Sequence, residues 1–208
     1  MRTQIIYHYC HEFGNNWYEN KSLFTKSHYY YRFNELIQNE LEKTNEVFVR
    51  HYKSTYNEPE NPPAWMVLEL ASFGQISTLY KNLRGNNQAK KAIAKHFGVT
   101  ETVLESWLEC LAFVRNSCAH HMRLWNRKLP KSPLKPQKTE NTWLTELPQP
   151  DKQNRLYLVL AIVQYLLKSF IPNSQFGPKL FKLLENNPKI PLQYMGFPSN
   201  WKVEKIWQ

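Results

Sequence analysis

Apolar residues along this chain recur mostly at intervals of three and four, the period of helices that pack by one face. No pair of alternating strands is evident. Residues 1–13 carry Ile5, Ile6, Tyr9 and Phe13 at helical spacing, with Gly14 as the stop. Residues 15–26 read as a loop holding Trp17 and Phe24. Ser27 is placed to cap a helix to about Lys43, with Tyr30, Phe33, Leu36, Ile37 and Leu41 on one face. A short helix over 45–55 follows, and Asn57 to Pro63, with three prolines, breaks the chain. Pro63 suits the first turn of a helix over 63–71. Ser72-Phe73-Gly74 interrupts it before a helix over 75–84, and a basic helix over 88–97 ends at Gly98.

The longest pattern comes next. Thr100 caps a helix predicted over 101–128, in which Leu104, Trp107, Leu108, Leu111, Val114, Cys118, Met122 and Trp125 form one stripe, with Pro130 beyond its end. Residues 129–150 hold five prolines and several lysines without periodicity, a loop long enough to suggest function. A strongly apolar helix spans 152–170 and another 178–186; residues 188–208 form an extended aromatic tail that packs back. The expectation is an all-α bundle, a single domain over 1–208, with short helices around two long ones.

Composition supports a globular chain: 42% hydrophobic and 14% aromatic residues, with only 6 Gly. Cys10, Cys110 and Cys118 form no CxxC pair and read as reduced thiols of a cytoplasmic protein; Cys110 and Cys118 fall on the apolar stripe as core residues. The opening segment lacks the apolar core of a signal peptide, and no apolar run is long enough to cross a membrane, so no membrane partner is expected. No Cys/His set has zinc spacing and no glycine-rich phosphate loop is present, so neither metal nor cofactor is expected.

Charge narrows the choice of partner. The net charge is +10. Residues 70–139 contain twelve Lys and Arg against three Glu, a surplus of nine that accounts for nearly all of it. A concentrated positive field suits a polyanion such as RNA, though a solvated basic surface is the plain alternative. Trp125 and Trp143, near the basic loop, are positioned to stack on bases.

On a helix advancing about 100° per residue from Leu104, Asn116, His120, Arg123 and Arg127 fall at roughly 100–160°, opposite the apolar stripe. Such a face can simply be wet, with acids early and bases late along the helix dipole. Arg115 differs, since at about 20° it lies inside the stripe. A buried guanidinium must find a carboxylate, an anion or a route to water. Together Arg115, Asn116 and His120 hold what RNA cleavage through the 2′-hydroxyl needs: an imidazole as base or acid, a cation for the phosphate, and an amide to orient them. One chain has one such set; two chains facing each other would pair them.

At these residues the chain resembles a known family. Arg115-Asn116-x-x-x-His120 is similar to the Arg-x4-6-His motif of HEPN domains. Its surroundings resemble the Abi family (AbiD/AbiF-like, abortive infection): Trp65 to Leu83, Ile93 to Val99, Ser106 to Leu108, Val114 to Arg127, and the tail Met195 to Pro198. The resemblance implies a HEPN-like helical fold, homodimerisation through the motif helix, and phage defence by metal-independent endoribonuclease activity. It implies that Arg115 binds the scissile phosphate, Asn116 orients and His120 acts as base or acid. His121, Arg123, Arg127, Lys128 and Lys131 would bind RNA, and an antitoxin or guide-like RNA is a possible further partner. Residues 1–24 resemble the middle of the family pattern, so the chain looks short at its N-terminus. Two alternatives remain: a non-catalytic RNA- or partner-binding module that is a truncated remnant of the family, and a structural dimer in which Arg115 pairs with a carboxylate.

Overall fold

The computed structural model describes residues 1–208 and is all-α: nine α-helices joined by turns, with no sheet. No helix is long and apolar enough to cross a membrane. The chain divides into two compact units, residues 1–95 and 96–208.

The first unit contains α1 (Arg2–Phe13), α2 (Ser27–Lys43), α3 (Val47–Thr55), α4 (Ala64–Leu70), α5 (Phe73–Asn82) and most of α6 (Gln88–His96). Helix α1 packs on α4, and α2 on α4 and α5, burying Ile5, Tyr9, Ile37, Val67, Leu68, Ile76 and Tyr80. The expected loop at 15–26 is tighter than its composition suggests. It winds into two 3-10 turns whose Trp17 and Tyr18 are buried; Trp17 stacks on Tyr9, and the Tyr18 hydroxyl donates to the Pro62 carbonyl at 2.6 Å. Helix α2 starts at Ser27 itself, with Lys26 in the cap position. Helix α5 starts two residues earlier than its apolar pattern predicts. The Ser72 hydroxyl accepts from the Gln75 N–H while the Gln75 side chain accepts from the Ser72 N–H, a capping box that outweighs the helix-weakening Gly74.

The second unit is built on α7 (Glu101–Ala119) and α8 (Leu156–Phe170), with α9 (Phe176–Glu185) packed on α8. Trp107 on α7 and Tyr157, Ile162 and Tyr165 on α8 are fully buried. Residues 129–150 are an ordered strap on these helices. Trp107 Nε1 donates to the Leu134 carbonyl, and the Leu134 N–H donates to Ser106 Oγ, each at 2.9 Å. Pro133, Pro136, Leu144 and Pro148 are buried beneath it. Prolines suit a strap of this kind because they bring no N–H that must be satisfied. Its far end is held by Glu204, whose buried carboxylate accepts the N–H groups of Thr145 and Glu146 at 2.8 and 2.9 Å.

The tail packs back as expected but is not extended. It coils into 3-10 turns at Leu192–Met195, Trp201–Val203 and Lys205–Trp207, burying Met195, Phe197, Trp201, Ile206 and Trp207. Gly196, at φ 85°, makes the reversal possible, and Gln164 in α8 donates to the Ile206 carbonyl at 3.1 Å.

Candidate functional site

Helix α7 ends at Ala119, nine residues before the end predicted from its periodicity. The His121 N–H donates to the Cys118 carbonyl at 3.0 Å and the Met122 N–H to the Ser117 carbonyl at 2.8 Å. These two reversed bonds close a Schellman C-cap. The left-handed residue that such a cap requires is usually glycine; here it is His121, at φ 53°. A histidine in this conformation carries backbone strain beside the motif.

Three expectations are corrected here, one by this early stop and two by the uncovered second half of the apolar stripe. First, Arg123 and Arg127 are not on the helix, so their helical angles do not apply. Residues 120–128 instead turn and fold back towards α7. The Arg127 guanidinium lies 5.0 Å over the Phe113 ring, with Nη1 3.5 Å from Met122 Sδ. Leu129 then packs on Cys110 and Val159, and Lys131 reaches Glu109 at 2.7 Å. Second, Arg115 is exposed rather than embedded, and its Nη1 donates to Asn116 Oδ1 at 3.1 Å. The stripe is covered only over its first half: Leu104, Trp107 and Leu108 are buried, Leu111 and Val114 partly so, and Cys118, Met122 and Trp125 are exposed. Third, Cys118 is therefore a surface thiol, not a core one. Cys110 is buried as expected, and burial, with the nearby Glu109 carboxylate, pushes its thiol up to about 11.

The three motif residues thus meet at the exposed C-terminal end of α7. The Asn116 side chain accepts from Arg115, and the Asn116 carbonyl accepts the His120 N–H at 3.0 Å as the closing backbone bond of the helix. The negative end of the helix dipole favours the cationic side chains gathered there. His121, Arg123 and Lys128 are exposed beside them, and Arg127 is half-buried. Lys131, expected to meet RNA, has its ammonium on the Glu109 carboxylate. No three His, Cys, Asp or Glu side chains come together as a metal-binding set.

Two residues that matter to this region were missed by sequence reasoning. Arg155, just before α8, donates from Nη1 to both the carbonyl and Oδ1 of Asn126, each at 2.9 Å. Asn126 sits at φ 53°, so this clamp holds a second left-handed residue in the turn after the motif. Tyr194, from the tail, meets Trp125 edge-on. An asparagine, tolerant of the left-handed region, was a weak local signal; nothing local links it to Arg155.

A family model described as Abi-like protein matches residues 1–126, more than half of the chain, including Arg115, Asn116, His120 and the turn through Asn126. No curated protein and no solved structure is similar enough to match. The chain therefore belongs to the Abi-like family, which places it in general terms among the abortive-infection proteins of phage defence.

Proposed function

We propose that this protein is an AbiD/AbiF-like, HEPN-type endoribonuclease that acts on RNA in the cytoplasm as a homodimer. The observation that carries the reading is the end of α7, where Arg115, Asn116 and His120 stand exposed within six residues and Arg115 donates to the Asn116 side chain. In the reaction, a ribose 2′-oxygen attacks the adjacent phosphorus. The new P–O2′ bond forms as the P–O5′ bond breaks. A base takes the 2′ proton and an acid supplies a proton to the departing 5′ oxygen. The products are a 2′,3′-cyclic phosphate and a 5′-hydroxyl.

His120 serves as base or acid, because imidazole exchanges protons near neutral pH. Arg115 offsets the charge that builds on the phosphate oxygens, and Asn116 keeps it in line. Base, acid and cation all come from side chains, so turnover persists in chelator. Two α7 ends facing across a two-fold axis would supply the second imidazole. Cys118, exposed at the uncovered end of the apolar stripe, and Met122, exposed in the turn after it, support that pairing, since a second copy would cover them. His121, Arg123, Arg127 and Lys128 steer the strand. Lys131 contributes less because Glu109 neutralises it.

The openness of the site in a single chain favours one second reading, a non-catalytic module that binds RNA or a partner such as an antitoxin or guide-like RNA. The two are separated by incubating RNA in chelator with wild type, His120→Ala and Arg115→Ala. The proposal expects wild-type cleavage and a loss of roughly 10²–10⁴-fold in His120→Ala. Equal cleavage in all three overturns the catalytic assignment, and salt-dependent binding without turnover establishes the module.

A further inference from the structure

Two large aromatic side chains stand exposed where the turn after α7 meets the tail, Trp125 at 38% and Tyr194 at 49%. Their rings meet edge to face, with centroids 6.3 Å apart and planes at 79°. An edge contact of this kind leaves ring face available to a third π system. Neither ring rides on a free segment. The clamp from Arg155 fixes Asn126, the residue after Trp125. Gly196, two residues after Tyr194, lies so close to Arg155 that an added Cβ would be 2.8 Å from the Arg155 Cβ and 2.9 Å from the Lys152 carbonyl. Arg155 thus braces the backbone behind both aromatics.

Trp143, the other candidate for base stacking, is used differently. It belongs to the strap, stacking on Trp107 at 4.9 Å and packing against Tyr165 on the helices below. Trp125 and Tyr194 have no such role inside the chain. They are held, open, with Trp125 on the same turn as the exposed His121 and Arg123.

We propose that Trp125 and Tyr194 form a stacking site for an unpaired nucleobase, on an RNA strand whose phosphate lies at Arg115 and His120; this rests on the ribonuclease reading above. An aromatic face accepts any base, so the site selects single-stranded RNA over duplex, whose bases already stack on each other, with little sequence preference. Arg155 is the positioning residue behind it.

The test measures binding, with 2′-fluoro RNA to block cleavage, of three probes: a single strand, the same strand with central abasic riboses, and a duplex. Wild type is expected to hold the single strand best. Trp125→Ala loses roughly 5- to 150-fold on the single strand, the equivalent of ~1–3 kcal/mol for one stacked base, and binds the abasic strand as wild type does. Trp125→Phe restores most of the loss. Tyr194→Ala, on a separate segment, shows a smaller base-dependent loss and guards against a local folding defect in the Trp125 variant. If wild type binds none of the probes, the ribonuclease reading falls together with this one. If wild type binds the single strand and Trp125→Ala binds it equally, the stacking site is overturned while the RNA reading stands. If Trp125→Ala changes only the oligomeric state, Trp125 belongs to a protein interface and the stacking site is likewise overturned.

Discussion

Replacing His121 with glycine should make the protein more stable. His121 occupies the left-handed position of the cap that ends α7, at φ 53°, where an L side chain costs about 1–2 kcal/mol and glycine nothing. Its structural contribution is made by the backbone, through the N–H bond to Cys118 and the turn that brings Met122 N–H to Ser117. His121→Gly keeps both bonds. Against the relief stands the extra unfolded-chain entropy of glycine, about 0.4–1 kcal/mol. The net gain is about 0.5–1 kcal/mol, a rise of ~1–4 °C in the melting temperature at this chain size. His121→Ala retains the strain and should melt within about 1 °C of wild type, which separates the backbone effect from loss of the imidazole. Melting of the three proteins by circular dichroism decides it. A His121→Gly protein that melts below both others would refute the reasoning, because the left-handed cap would then not be the source of strain. If His121→Gly is more stable but binds RNA less well, a strained histidine has been kept at this position for contact with the strand, at some loss of stability.

Glu204→Gln should loosen the strap, because one of the two N–H groups then faces an NH2 that cannot accept and the other keeps only a neutral acceptor; a loss of about 2 kcal/mol is expected in urea unfolding. A thiol reagent at mild alkaline pH should label exposed Cys118 first and buried Cys110 last, and dimerisation should slow the Cys118 reaction as protein concentration rises. Stability should fall as the solution becomes strongly alkaline. Burial holds the Cys110 thiol protonated to about 11 and the Tyr157 phenol to about 12, above their ordinary values of 9.0 and 10.0. The unfolded chain releases these protons first and so binds fewer of them, which favours unfolding from about pH 9 to 12 and not below. A urea midpoint flat or rising across that range would contradict the burial of these two groups.

The helices were largely legible in the sequence because each buries one face and the three-to-four spacing records that face directly. Ile5 and Tyr9 on α1 or Leu104, Trp107 and Leu108 on α7 are read from spacing and are found buried. The end of α7 was not legible for a related reason. Met122 and Trp125 continue the period, yet periodicity records only where side chains would point if the helix went on. What stops it is a left-handed backbone conformation at His121, with no glycine at that position to mark the stop. The misplacement of Arg123 and Arg127 follows from that error; Arg115 was misjudged because nothing in the chain covers the second half of the apolar stripe. The strap and the tail were hidden differently. Leu134 on Ser106, Thr145 on Glu204 and Arg155 on Asn126 are contacts between residues 28, 59 and 29 apart, and in each one partner is a backbone group, which carries no sequence identity. Arg115, Asn116 and His120 could be singled out because their chemistry is local: an Arg, an amide and a His within six residues.

The most direct test of the central claim is the chemistry of the RNA ends. Single-stranded RNA incubated with wild type in chelator should yield fragments ending in 2′,3′-cyclic phosphate with 5′-hydroxyl partners, identified by mass, and the His120→Ala protein should yield almost none. Intact RNA with wild type, or the same cyclic ends in equal amount from His120→Ala, would contradict the account.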